Sequence, residues 1–128
     1  MLNLKIFKDD RGDLTPIEFG EDLPFIPQRA FIVKNVPAGC RRGEHAHYKT
    51  EQFLICLKGL IKVVVTNGTQ DRTVILSEGE TIFIGNLTWD YQEFSSEQDV
   101  LLVFCSTHFD INDYITDYST FLKTVKHD

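Results

Sequence analysis

The sequence predicts an all-β protein: a small antiparallel β-barrel of the double-sheet jelly-roll type, with a short helical segment near its C-terminal end. Three observations carry that expectation. Short β-type runs recur with turn signals between them at intervals of about 8–12 residues, the spacing of a sandwich or barrel. Ten phenylalanines in 128 residues are a heavy aromatic load, suited to an interior between sheets. Helical patterning is confined to the last part of the chain.

The first strong run covers residues 30–36 and stops at Pro37-Ala38-Gly39. Residues 52–57 form a second and end at Lys58-Gly59. Residues 60–66 stop at Asn67-Gly68, a two-residue hairpin signal because both residues tolerate positive φ. Residues 73–76 lead into Ser77-Glu78-Gly79-Glu80, and 81–84 into Gly85-Asn86. Val100-Leu101-Leu102-Val103-Phe104 is apolar on both faces, which predicts a strand that is central or covered on its outer side. That apolar exterior, with the open edges of so small a barrel, predicts a homodimer. Residues 112–117 are expected as one helical turn and 118–125 as another, anchored by Phe121 and Leu122.

Bulk properties exclude several function classes. A chain of 128 residues is expected to form one domain, residues 1–128, with a single core. The net charge of −6, from 13 basic and 19 acidic residues, disfavours nucleic acid and anionic membranes as partners. No apolar run approaches the roughly 20 residues of a membrane helix, and Met1-Leu2-Asn3-Leu4-Lys5 lacks the pattern of a signal peptide. Cys40, Cys56 and Cys105 show no C-x-x-C spacing and read as free thiols, the last two as small core residues. The expected compartment is a reducing cytoplasm.

The chemistry concentrates in Arg42-Gly43-Glu44-His45-Ala46-His47. On an extended strand, side chains at i and i+2 share a face, so His45 and His47 would stand side by side. Two such imidazoles can ligate a metal or move protons on a bound substrate. Arg41, Arg42 and Lys49 make the one dense basic patch of an acidic chain, able to meet an anionic ligand. Cys40 lies in a turn and is a poor candidate nucleophile. Asp110, Asp113 and Asp117 are spaced to cap and solvate a terminal helical turn.

Gly39, His45-x-His47 and Gly59 together resemble the first cupin motif, a glycine-bounded hairpin carrying H-x-H. In metal-binding cupins a glutamate and a further histidine complete the site. Here those positions fall on Gln52 and about Asp90, so the expectation is no metal. Over residues 10–122 the chain resembles the cupin-fold dTDP-sugar 3,4-ketoisomerases. The landmarks are Asp10-Arg11-Gly12-x-Leu14, Arg42-Gly43-x-His45-Ala46-His47-x-Lys49, Gln52, Trp89, Leu101-Leu102-Val103 and the tail Phe109-Asp110-x-x-Asp113-Tyr114-Ile115-x-Asp117-Tyr118-x-x-Phe121-Leu122. Two departures stand out. Relatives usually carry a tyrosine just after the arginine near Arg29, where this chain has Ala30-Phe31-Ile32. They often carry an arginine before the Asp-Tyr of the tail, where it has Thr116.

The resemblance implies an isomerase that moves the ketone of dTDP-4-keto-6-deoxyglucose from C4 to C3 through an enediol(ate), in the making of unusual deoxy and amino sugars. It implies no cofactor. His45 would be the base at C3 and His47 would pass protons between the oxygens, with exchange of those roles left open. For the substrate, at least one of Arg41, Arg42 and Lys49 is expected to meet the diphosphate or the sugar oxygens, with Arg29 a further candidate, Gln52 to donate to a sugar oxygen and Trp89 to stack on the thymine or the sugar. Three other readings stay open: a dTDP-sugar 3,5-epimerase, a non-catalytic cupin that binds sugars or partners, and a metal-dependent cupin oxygenase or isomerase.

Overall fold

The computed structural model describes residues 4–126. Met1-Leu2-Asn3, part of the segment read above for a targeting signal, lies outside the described residues. A hairpin of β1 (Phe7–Asp9) and β2 (Gly12–Leu14) comes first. It is followed by β3 (Arg29–Lys34), β4 (Arg41–His47), β5 (Gln52–Lys58), β6 (Ile61–Thr66) and β7 (Asp71–Leu76). Then come β8 (Thr81–Ile84), β9 (Trp89–Phe94), β10 (Val100–Cys105), a 3₁₀ turn (Ile111–Asp113), β11 (Tyr114–Ile115) and α1 (Tyr118–Val125). No helix among the described residues is long and apolar enough to cross a membrane.

Two antiparallel sheets make the expected jelly roll. One has the order β3-β10-β5-β8, the other β11-β4-β9-β6-β7. Their inner faces share one core. Leu54, Cys56, Leu101, Val103 and Cys105 from the first sheet meet Ile61, Val63, Leu76 and Phe94 from the second. Burying each such side chain is worth about 1.5–3 kcal/mol, so this layer dominates stability.

The doubly apolar β10 is central, between β3 and β5. Its outer side chains Leu102 and Phe104 join Phe53 and Ile55 under Leu4, Ile17, Leu23 and Phe25. The N-terminal segment therefore covers much of that face, with Leu102 left half-buried. Among the exposed apolar side chains are Phe31 and Ile32 on the edge strand β3.

Other local expectations need correction. Residues 112–117 are not one helical turn: after the 3₁₀ turn the chain becomes β11, because Tyr114 and Ile115 pair with His47 and Ala46. Nor is Asn67-Gly68 a two-residue loop. Strands β6 and β7 are joined through residues 67–70, where the Asn67 side chain accepts from the Thr69 and Gln70 amides. Asp110 caps the 3₁₀ turn and Asp117 caps α1, as anticipated. Asp113 does neither. It is buried and accepts from the Lys49 and Thr50 amides and the Thr50 hydroxyl, which pins the loop after β4.

A second buried carboxylate fastens the opposite end. Asp99, 1% exposed, accepts from the Ser95 amide and hydroxyl, the Ser96 amide and the Leu60 amide. Removing it strands several donors away from water, at about 1–3 kcal/mol for a group left unpaired. Asp99→Ala is expected to lower stability by about 2–4 kcal/mol. Urea unfolding measures this, and a midpoint equal to that of the parent protein would refute the assignment.

Candidate active site

Strand β4 is irregular where it matters. Gly43 and Glu44 both have positive φ, +91° and +61°, and the pairing with β9 slips between Gly43 and His45. This is a β-bulge, which re-aims side chains by one position. Arg42 sits opposite Gln92 and His45 opposite Asp90, and both β9 partners are buried. Arg42 and His45, three residues apart, thus reach the same side of the sheet. A regular strand would put them on opposite faces. Ala46, fully buried, packs outward against Ile115 and Phe121, so the tail holds the strand from behind.

A cavity of about 400 Å³ opens between the sheets, large enough for a sugar. Arg29, Phe31, Arg42, Gly43, His45, Gln52, Gln92, Phe109 and Tyr114 line it. His47 is next to it, 3% exposed, its ring 4.8 Å from that of His45 and 4.4 Å from that of Tyr114. Arg29 is fixed in place: its Nε donates to the Thr107 carbonyl at 3.2 Å and its guanidinium lies over the Phe109 ring at 5.5 Å. Both terminal nitrogens donate to the Tyr114 hydroxyl at 3.5 Å.

Burial governs the titration here. It pushes His47 down to about 4, aided by His45 and Arg29 and opposed by Asp113. It also lowers His45, with Arg29 adding to the effect and a backbone hydrogen bond opposing it. Both imidazoles are therefore neutral at pH 7 and able to accept a proton. Burial raises Asp90 to about 7, while its hydrogen bond from Gln92 Nε2, 2.5 Å long, works against the rise. His45 Nδ1, His47 Nε2 and Asp90 Oδ1 are buried without a hydrogen-bond partner. Among the described residues, no three His, Cys, Asp or Glu side chains gather as a metal site would need.

The structure brings His45, Arg29, Arg42 and Gln52 to the cavity. Arg41 falls outside it, stacked 4.1 Å over Tyr91 and near Glu93, though with Lys34 and Arg42 it lines an adjoining open hollow of about 680 Å³. Lys49 and Trp89 line neither. Lys49 is exposed beyond the end of β4. Trp89 points out from β9, because Asp90 takes the inward position, and packs against Tyr118 and Phe121 of α1. Tyr114, Gln92 and Phe109 are site residues that sequence reasoning missed. Alternation along 89–94 would have flagged Gln92 only if β9 had first been recognised as a strand.

A family model described as "FdtA: WxcM-like, C-terminal" matches residues 1–126. The chain belongs to the FdtA, WxcM-like family. It is 32% identical over 126 residues to a TDP-4-oxo-6-deoxy-α-D-glucose-3,4-oxoisomerase from Aneurinibacillus thermoaerophilus, covering 98% of this chain and 91% of that protein. It is also similar to the sugar 3,4-ketoisomerase QdtA of Thermoanaerobacterium thermosaccharolyticum, solved in complex with TDP, at 33% identity and a TM-score of 0.92 over 97% and 91% of the two chains. A histidine-to-asparagine variant of QdtA, solved in complex with TDP-4-keto-6-deoxyglucose, matches at 32% identity and a TM-score of 0.93, with the same coverage. A dTDP-4-dehydrorhamnose 3,5-epimerase from Bacillus anthracis shares only the fold, at 15% identity and a TM-score of 0.77.

The depressed His47 has a consequence for this family member's stability. The unfolded chain takes up a proton near 6.5, whereas folded His47 resists it down to about 4. Its contribution is thus complete above pH 6.5 and is lost as the pH falls toward 4. Each tenfold difference in proton affinity between the two states is worth about 1.4 kcal/mol. His47→Asn should lose less stability than the parent between pH 7 and 4.5. Urea midpoints at the two pH values test this, and equal losses would contradict it.

Proposed function

We propose that the protein is a sugar-nucleotide 3,4-ketoisomerase that moves the carbonyl of a TDP-linked 4-keto-6-deoxyglucose from C4 to C3. The observation that carries this reading is a neutral imidazole, His45, on the wall of a sugar-sized cavity that also presents the Arg29 guanidinium. The relatives named for this reaction support it. The C3 proton lies α to the carbonyl, so its removal gives an enediolate, and return of a proton to C4 completes the migration. These are proton transfers only, and no electron acceptor enters the balance. His45 takes the C3 proton, and Arg29 stabilises the oxyanion as it develops. His47, its ring 4.8 Å from that of His45 and its Nε2 without a hydrogen-bond partner, passes the proton between the C3 and C4 oxygens, with exchange of the two roles open. Arg42, with Arg41 and Lys34 in the adjoining hollow, meets the diphosphate, which guanidinium forks match in geometry. Gln52 is available to a sugar hydroxyl.

The test is incubation with TDP-4-keto-6-deoxyglucose in D₂O, followed by NMR of the product. A 3-keto sugar carrying deuterium at C4 is expected. A product with its carbonyl still at C4 and altered stereochemistry would mean epimerisation, and no deuterium anywhere would mean a binding protein. His45→Asn should reduce both migration and exchange at C3 by at least ~10² while leaving TDP affinity within about tenfold. Retained exchange in that variant would remove His45 from the base role.

We place the enzyme in the cytoplasm, a reading supported by its three free thiols and by a nucleotide-sugar substrate. A homodimer forming about β3 is supported by an edge strand whose Phe31 and Ile32 are exposed, 38% and 59%. Light scattering should report a dimer for the parent protein and a monomer for Ile32→Arg. A monomeric parent would end that proposal.

A further inference from the structure

A guanidinium that stabilises an oxyanion must stand in one place before the charge forms. Strand β3 is an edge strand and the arginine side chain is long, so the strand alone does not fix Arg29. What fixes it comes from elsewhere in the chain. Arg29 Nε donates to the Thr107 carbonyl at 3.2 Å, just beyond β10. The Thr107 hydroxyl lies 2.6 Å from that of Thr50, and the Thr50 hydroxyl donates to the Asp113 carboxylate. A hydroxyl has a single proton to give. With that of Thr50 committed to Asp113, Thr107 is the donor in the threonine pair. The bonds therefore run one way, from the guanidinium through Thr107 and Thr50 to a buried carboxylate. Burial would raise Asp113, yet its bonds from Thr50 and Lys49 hold it below the usual carboxylate range. Thr50 itself is 2% exposed. A valine has nearly the same shape, so packing alone does not call for its hydroxyl.

Resting on the ketoisomerase reading above, we infer that Thr50 is a positioning residue for Arg29. It does not line the cavity and acts only through Thr107. By tying Thr107 to the buried carboxylate, it sets where the Thr107 carbonyl stands, and with it the guanidinium. Tyr114, which meets the terminal nitrogens at 3.5 Å, follows Asp113 directly in the chain, so one carboxylate anchors both polar contacts of Arg29. A cation that drifts by about 1 Å costs more in the transition state than in substrate binding. There is an electrostatic consequence as well. His45 shares the cavity with Arg29, Arg42 and Tyr114, stands beside His47 and is paired with Asp90 of β9. Burial holds His45 below its ordinary value, and the charge of Arg29 adds to that. Loosening Arg29 raises the affinity of His45 for a proton.

The test compares Thr50→Val, which removes the hydroxyl, with Thr50→Ser, which keeps it. Thr107→Val breaks the same chain at its next member and leaves the carbonyl to Arg29. With TDP-4-keto-6-deoxyglucose as substrate, Thr50→Val should lower kcat about tenfold with KM within about threefold of the parent. The acid limb of its kcat/KM profile should move to higher pH. Thr107→Val should do the same, and the double variant no more than either single one. Thr50→Ser should match the parent. Melting temperatures report whether each variant is folded, and if Thr50→Val is not, Thr107→Val and its pH profile decide. A kcat within about twofold of the parent in the folded variants would overturn the inference. So would a fall in kcat with the acid limb unmoved or without rescue by serine, which would make Thr50 a general support of its loop. If the parent protein itself does not move the ketone, the ketoisomerase reading fails, and the positioning role falls with it.

Discussion

The site depends on one backbone irregularity, the bulge at Gly43 and Glu44. Without it, Arg42 and His45 would project from opposite faces of β4, and the cavity would keep only one of the two. Two left-handed residues in succession are costly, and the first must be very small as well. A Cβ on Gly43 would lie 3.2 Å from the Asp90 carbonyl oxygen, the Tyr91 Cα and the Gln92 amide oxygen. Glycine there lets β9 come close enough to pair on both sides of the slip. Glu44 adopts a conformation that disfavours side chains, of the order of 1–3 kcal/mol. Strand pairing before and after the bulge, and the packing of Ala46 beneath the tail, offset that strain.

The electrostatics follow from the same placement. A base for carbon acids must be unprotonated at working pH, and burial beside a guanidinium achieves this for His45 without a specific partner. The positive charge that depresses the imidazole is also the one available to a nascent oxyanion. In the reaction proposed above, Arg29 adds to the burial that keeps His45 neutral and also favours the enediolate. The aromatic rings of Phe31 and Phe109, at 6.0 and 5.5 Å from the guanidinium carbon, add cation–π contacts to that charge.

How much of this was legible follows from which physical signal each residue leaves in a linear chain. Strands β5, β6 and β10 announce themselves because their inner faces are apolar. Strand β9 does not: Asp90 and Gln92 are the buried positions while Trp89 and Tyr91 point outward, so its alternation reads inverted. The hairpin of β1 and β2, exposed along its whole length, leaves no pattern at all. His45 was visible from spacing, but Arg42 could not be told from Arg41, since only the bulge decides which of them turns inward. Trp89 was misplaced for the complementary reason. A lone tryptophan suits stacking and helix packing equally, and α1, correctly bounded in the sequence, is what claims it. Tyr114 was hidden inside a stretch expected to be helical.

The chain order of these parts has a consequence of its own. Arg29 and His45 precede the strand that braces β4 from outside, β11, and the helix that packs with it on Ala46. A nascent chain that stops short of residue 114 carries its imidazole without that clamp, so the wall behind His45 is set only once β11 has docked.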